Sequence, residues 1–199
     1  MKKLVLMLLL PFGLSAQKKV GGPCECCEAI YQRMPANLSW ATRISDKDEE
    51  GEPMEITGII YQKDGKTPAP DVILYVYHTD AKGNYSRGTG DACTKRHGKL
   101  RGWVKTDNLG RYKLVSIRPA SYPNATIPAH IHPTIKEPGK TEYYIDEYRF
   151  EGDKFLTKEE IARDENRGGS GLIKLTKNDT GVWIGKRDIV LGRNIPNYE

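Results

Sequence analysis

Long apolar runs are scarce in this chain of 199 residues. One short run, residues 4–10, follows Lys2 and Lys3 and precedes Ser15 and Ala16, the pattern of an export leader cut near Ala16. It is well short of the ~20 residues that span a bilayer, and no later segment is apolar enough to cross one. Dense Lys/Arg runs are missing as well. The net charge of +5 becomes +3 once Lys2 and Lys3 leave with the leader, too weak a bias for a nucleic-acid partner. No internal repeat and no low-complexity linker occur. Cysteine is sparse, with Cys24, Cys26 and Cys27 crowded together and Cys93 alone. No histidine or further cysteine lies close to the first three in sequence, which argues against a metal cluster there. An oxidising compartment would pair some of these thiols. A bond between the neighbours Cys26 and Cys27 would be strained, so at least one bond from the N-terminal group to Cys93 is expected.

What the chain does have is β texture. Its length favours one domain and lets it bury a core without help from disulfides. Strands are predicted over residues 55–62, 72–78, 102–106, 111–117, 129–136, 142–150, 171–176 and 181–191, from β-branched and aromatic runs punctuated by Gly, Pro, Asn and Asp. Asp107 to Gly110 reads as the turn of a hairpin between the third and fourth of these. A short helix is expected near residues 28–33, and another beginning at Thr157, where Thr157 and Glu160 form a capping box. Many short strands suggest a sandwich or barrel. The expected architecture is mostly β: a single β-sandwich domain over residues 54–199, behind an N-terminal arm over residues 17–53. Two long loops, residues 81–100 and 120–128, are of a length that usually carries function.

His130 and His132 flank Ile131 at the start of a predicted strand. Positions i and i+2 of a strand share a face, so two imidazoles can converge on one ion, and imidazole suits zinc, copper, iron and nickel. Alone, that spacing fits two surface histidines equally well. Its surroundings are more specific. Pro128-Ala129-His130-Ile131-His132 follows Ile117-Arg118-Pro119-Ala120-Ser121-Tyr122-Pro123, which follows Thr106-Asp107-Asn108-Leu109-Gly110-Arg111-Tyr112; upstream lies Tyr75-Val76-Tyr77-His78-Thr79-Asp80-Ala81-Lys82-Gly83-Asn84-Tyr85-Ser86. This ordered set, running from about Gly58 to Asp153, resembles the intradiol ring-cleavage dioxygenases, the catechol and protocatechuate dioxygenase family. The resemblance implies one Fe(III) held by Tyr85, Tyr122, His130 and His132, and oxidative cleavage of an aromatic 1,2-diol by O2. It also implies that Tyr122 is the ligand a diol displaces, so Tyr85 and Tyr122 are the catalytic candidates. Hard phenolate oxygens favour a trivalent ion, which in turn holds a phenol ionised far below its usual pKa of ~10. The implied partners are the diol and O2, with a homo-oligomer also open.

Other matched residues read as structural. Asp107 and Gly110 are turn residues, Pro119 and Pro123 hold the Tyr122 loop, and Tyr112, Tyr143 and Tyr144 are expected half-buried in the sheet. His78 and His97 read as ordinary polar residues, although the loop position of His97 would let it face the site. Two positions depart from the family. The arginine that precedes the Pro-Ala-His-Ile-His segment is Ile127 here, and a glutamine on the next strand is Glu147. A positioned cation is worth a few kcal/mol in other electrostatic sites; Arg101, Arg118 or Arg149 are candidates to supply it, and Glu147 could serve as a base or a further ligand. Two rival readings follow: a relative that binds metal or diols without turnover, and an exported β-sandwich binding module with no metal.

Overall fold

The computed structural model describes residues 19–86 and 90–199; the expected leader lies outside them. Its strands are β1 (Ala41–Arg43), β2 (Pro53–Tyr61), β3 (Ile73–His78), β4 (Arg101–Lys105), β5 (Arg111–Ile117), β6 (His130–Lys136), β7 (Tyr143–Tyr144), β8 (Tyr148–Phe150), β9 (Leu172–Ile173), β10 (Thr176–Lys177), β11 (Trp183–Lys186) and β12 (Ile189–Val190). One sheet has the order β1-β5-β2-β11-β10, with β12 also on β2; the other runs β4-β3-β6-β8-β9, with β7 also on β6. The fold is the mostly β sandwich that the strand pattern predicts. Helix is confined, among the described residues, to a 3-10 turn at Cys27–Tyr31, α1 (Ala92–His97) and α2 (Lys158–Ala162). None is long and apolar enough to cross a membrane.

Strand alternation makes the core. Met54, Ile56 and Ile60 of β2 and Tyr112 and Leu114 of β5 face Leu74 and Val76 of β3, Ile131 and Ile135 of β6, and Tyr148 and Phe150 of β8. Burying each such side chain contributes about 1.5–3 kcal/mol. Gly58 continues the inward face of β2, where an added Cβ would stand 1.8 Å from the Arg187 carbonyl oxygen; only glycine lets β2 approach that closely. The two core tyrosines satisfy their hydroxyls together: Tyr112 donates to the Arg187 carbonyl at 2.7 Å and lies 3.0 Å from the Tyr148 hydroxyl.

Several sequence expectations need correcting. The hairpin between residues 102–106 and 111–117 does not form, because β4 pairs with β3 while β5 pairs with β2. Thr106 donates back to the Val72 carbonyl, whereas the Gly110 carbonyl accepts from Ile60, so the Asp107 turn crosses from one sheet to the other. Turn chemistry alone does not distinguish a hairpin from such a corner. Residues 142–150 form two short strands broken at 145–147, and the last two predicted strands likewise split into β9, β10, β11 and β12. The predicted loop 81–100 contains α1, capped by Asp91, whose carboxylate accepts from the Thr94 amide. Tyr112 and Tyr143 are fully buried rather than half-buried.

The outer face of the β3–β6 sheet is also covered. Trp103 donates to the Ile30 carbonyl at 2.6 Å and Arg101 to the Gln32 carbonyl at 3.3 Å, laying the N-terminal arm across that face. Cys26 is bonded to Cys93 (Cα–Cα 5.3 Å), tying the arm to α1, and Cys24 is bonded to Cys27 (5.7 Å). The arm also supplies β1, which pairs in parallel with β5.

Candidate metal centre

β6 turns Ile131 and Ile135 into the core, so His130 and His132 share the opposite face. Two loops bring the tyrosines to them. His78 ends β3 and is buried, its Nδ1 against the Thr79 carbonyl at 2.7 Å and its Nε2 against the Ser116 hydroxyl at 2.8 Å. Burial lowers its pKa to about 4, and it clamps the sheets together, away from the site. Asp80 then organises the next turn, its carboxylate accepting from the Lys82 and Asn84 amides at 2.9 Å. The Asp80 carbonyl accepts from Ala120, and Thr79 donates to the Ala120 carbonyl, so the turn before Tyr85 is stitched to the loop before Tyr122. Asp80 is the positioning residue that the sequence reading missed; its signal was an Asx turn, Asp80 followed by Gly83.

Gly83 sits at the seam, with φ +80°, and an added Cβ would lie 2.0 Å from the Ser121 carbonyl oxygen. Gly83→Ala is therefore expected to push the two tyrosine loops apart. The backbone strain alone costs about 1–2 kcal/mol, which corresponds to a melting temperature lower by several degrees. Metal affinity should fall by more than about tenfold, the scale seen when groups that orient ligands are lost. Thermal melting together with metal titration checks this; an unchanged affinity in a destabilised protein would mean that the seam does not set the tyrosine spacing.

The four expected donor atoms close into a ring. Tyr85 Oη lies 2.8 Å from Tyr122 Oη, Tyr122 Oη 3.1 Å from His130 Nε2, His130 Nε2 3.0 Å from His132 Nε2, and His132 Nε2 2.9 Å from Tyr85 Oη. His130 Nδ1 is 2.7 Å from the Pro128 carbonyl and His132 Nδ1 is 2.9 Å from a Glu147 carboxylate oxygen. Both Nδ1 atoms therefore carry a proton, and both Nε2 atoms face the ring. Burial, then the neighbouring His132, lowers the His130 pKa and keeps that ring neutral. With His130 neutral and its proton on Nδ1, at most three protons serve the four short edges, so at least one edge is a contact between lone pairs. A shared cation relieves all four, and edges of this length suit ligands about 2 Å from one ion.

Burial is the main cause that raises the pKa of both phenols, Tyr85 most strongly, with the Glu147 charge adding to it. Without a cation they stay protonated. Behind the ring lies a stack: His132 on Tyr77 (4.5 Å, 17°), and Tyr77 on His97 (3.6 Å, 5°). His97 Nδ1 is 2.9 Å from the Tyr75 hydroxyl, so His97 supports the site from the second layer and offers no donor to the ring. Tyr122 borders a cavity of about 590 Å3 that Arg118, Asp153 and Phe155 also line. Of the three arginines proposed to replace the family's cation, Arg118 reaches this cavity. Arg149 is held by Asp164 and Arg101 by the arm. Arg96 of α1, ion-paired with Glu25, adds a cation whose charge eases ionisation of Tyr77 and Tyr122. Ile127 is exposed.

Fold and donor set together define a β-sandwich protein with a candidate mononuclear site of two imidazoles and two phenols. Residues 29–183 match the family model described as Dioxygenase, and the chain belongs to the intradiol ring-cleavage dioxygenase family. Solved structures share the fold at low identity. The dioxygenase domain of a dioxygenase–carbohydrate-binding fusion protein from Streptomyces sp. SirexAA-E matches with TM-score 0.58 and 20% identity, over 79% of this chain and 91% of that one. Catechol 1,2-dioxygenase from Acinetobacter sp. ADP1 matches with TM-score 0.57 and 21% identity, over 80% of this chain but 59% of its own. The 3-chlorocatechol 1,2-dioxygenase of Rhodococcus opacus 1CP matches with TM-score 0.57 and 20% identity, over 88% and 72%.

Proposed function

We propose that this chain is a non-haem ferric dioxygenase that opens an aromatic 1,2-diol between its hydroxyl carbons, using O2, with Tyr85, Tyr122, His130 and His132 as the iron ligands. The observation that carries this reading is the closed ring of four donor atoms, 2.8–3.1 Å on each edge, with both imidazole Nε2 atoms turned inward. Two hard, anionic phenolates and two neutral imidazoles suit a trivalent ion better than a softer or less charged one. When bound, a ferric ion supplies the charge that keeps both phenols ionised and accepts a diol as its dianion.

The chain's own groups divide the remaining work. His130 and His132, fixed by the Pro128 carbonyl and by Glu147, would hold the ion through their Nε2 atoms. Tyr85, the more buried phenol, would do the same through its Oη. Tyr122 borders the large cavity, where its Oη would be the group placed to take a diol proton. Arg118 on that cavity supplies a cation in place of the one lost at Ile127. The four cysteines and the leader pattern support a protein that works after export, in an oxidising compartment.

Iron-loaded protein is expected to show a broad visible phenolate-to-iron band at about one iron per chain, a band that shifts when catechol is added. O2 uptake should follow with a catechol and not with the matching monophenol. A protein that stays colourless after reconstitution sinks this reading and leaves the β-sandwich binding module. A coloured protein that takes up no O2 with any diol leaves the non-turnover relative.

A further inference from the structure

Outside the four donors, Glu147 is the charged group most directly joined to the candidate centre. It lies in the break between β7 and β8, and the register of His130 with Arg149 across β6 and β8 brings that break alongside the two histidines. One carboxylate oxygen stands 2.9 Å from His132 Nδ1, and an oxygen of the group is within 4.8 Å of a nitrogen of each histidine. The neighbouring Arg149 makes no hydrogen bond to it, donating instead to Asp164 and to the Glu160 carbonyl, although its charge acts on Glu147 through space. With Tyr77, His97, His132 and Tyr144, Glu147 also lines a cavity of about 150 Å3, closed on another side by the disulfide-bonded residues Cys24, Cys26 and Cys27. Aromatic faces and a carboxylate at one wall are the chemistry that receives a cation and repels an anion.

We propose that Glu147 is a positioning residue for His132 that also sets the charge of the diol accepted: it holds the imidazole on the ion and turns the site away from carboxylate-bearing diols, towards neutral and amine-bearing ones. The diol selection rests on the dioxygenase reading, and the hold on the histidine on the 2.9 Å contact between the carboxylate and His132 Nδ1. A carboxylate behind a ligating imidazole fixes its tautomer and strengthens its donation, and loss of such partners weakens metal binding by about 10–100-fold. Negative charge beside the ring also raises the cost of each further anion brought to it, and a ring-bound carboxylate is one such anion.

Zinc separates the two readings, because it binds imidazole and oxygen donors yet does not support oxygen chemistry. Wild type, Glu147→Gln and Glu147→Leu are titrated calorimetrically with zinc. The zinc-loaded proteins are then titrated with catechol, 3,4-dihydroxybenzoate and 4-(2-aminoethyl)catechol. Leucine, with no acceptor, should lower zinc affinity about 10–100-fold, and glutamine, which keeps an acceptor for His132 Nδ1, should restore most of it. Glutamine should also raise the affinity for 3,4-dihydroxybenzoate relative to catechol by roughly tenfold, and lower that for the amine. Equal zinc affinity in all three proteins overturns the positioning role. Unchanged relative affinities for the three diols in Glu147→Gln, or a zinc-loaded wild type that binds none of them, overturn the charge selection. The dioxygenase reading is judged separately, by the visible band of the iron-loaded wild type.

Discussion

His130→Ala is expected to lose iron: affinity at least about a hundredfold below wild type, no visible phenolate band, and no diol-dependent O2 uptake. The magnitude follows from comparison with lesser losses. Removing a group that merely orients a ligand already costs about 10–100-fold in metal affinity, and here a donor atom itself goes. The fold should survive. His130 starts β6; its side chain holds the Pro128 carbonyl and meets Tyr122 and His132 in the ring, and a hydrogen bond of this kind is worth about 1 kcal/mol. Ile131 and Ile135, which anchor β6 in the core, are untouched. Metal content after dialysis, the visible spectrum and a thermal melt together check this. A variant that keeps both iron and band would show that the ring of four donor atoms is not the metal site.

Much of this site could be read from residue order because its parts are local. His130 and His132 need only a strand to share a face, and the strand was legible from β-branched and aromatic residues with turn signals on either side. Tyr85 and Tyr122 are different. They are 37 residues apart, and what brings them together is the Thr79 hydroxyl donating to the Ala120 carbonyl and the Ala120 amide donating to the Asp80 carbonyl, a long-range pairing that residue spacing does not announce. Their recognition depended on the order of motifs along the chain. The sheet pairing of β4 and β5 was hidden for a related reason. Both strands alternate and a good turn joins them, yet the Val72 carbonyl claims the Thr106 amide and Ile60 claims the Gly110 carbonyl, partners that lie more than thirty residues upstream. α1 escaped notice because its residues Ala92–His97 carry no apolar stripe; it is held by the Asp91 cap, by the bond to Cys26 and by His97 lying flat on Tyr77. The glutamate at 147 was noticed as a departure, but its contact with His132 Nδ1 depends on a strand break that periodicity did not reveal.

Loss of the Cys26–Cys93 bond should produce the opposite pattern from His130→Ala, a weakened fold that keeps its metal. The bond closes a loop of sequence separation 67, and in the chain-entropy account a loop of that size stabilises the native state by about 4 kcal/mol. The Cys24–Cys27 bond, at separation 3, contributes less than half as much by the same relation. Replacing both Cys26 and Cys93 with serine should therefore lower the melting temperature by roughly 8–16 °C for a domain of this size. A reductant should bring the wild type close to the variant. The proposed iron ligands are anchored elsewhere: His130 and His132 by β6, between β3 and β8, and the tyrosine loops by Asp80 and Ala120. Iron content and the visible band should therefore persist below the new melting point. Equal melting temperatures for variant and wild type would mean that the arm is held chiefly by Trp103 on the Ile30 carbonyl and by β1 on β5. Loss of iron in the folded variant would instead show that α1, through His97 and Tyr77, is what keeps His132 in place.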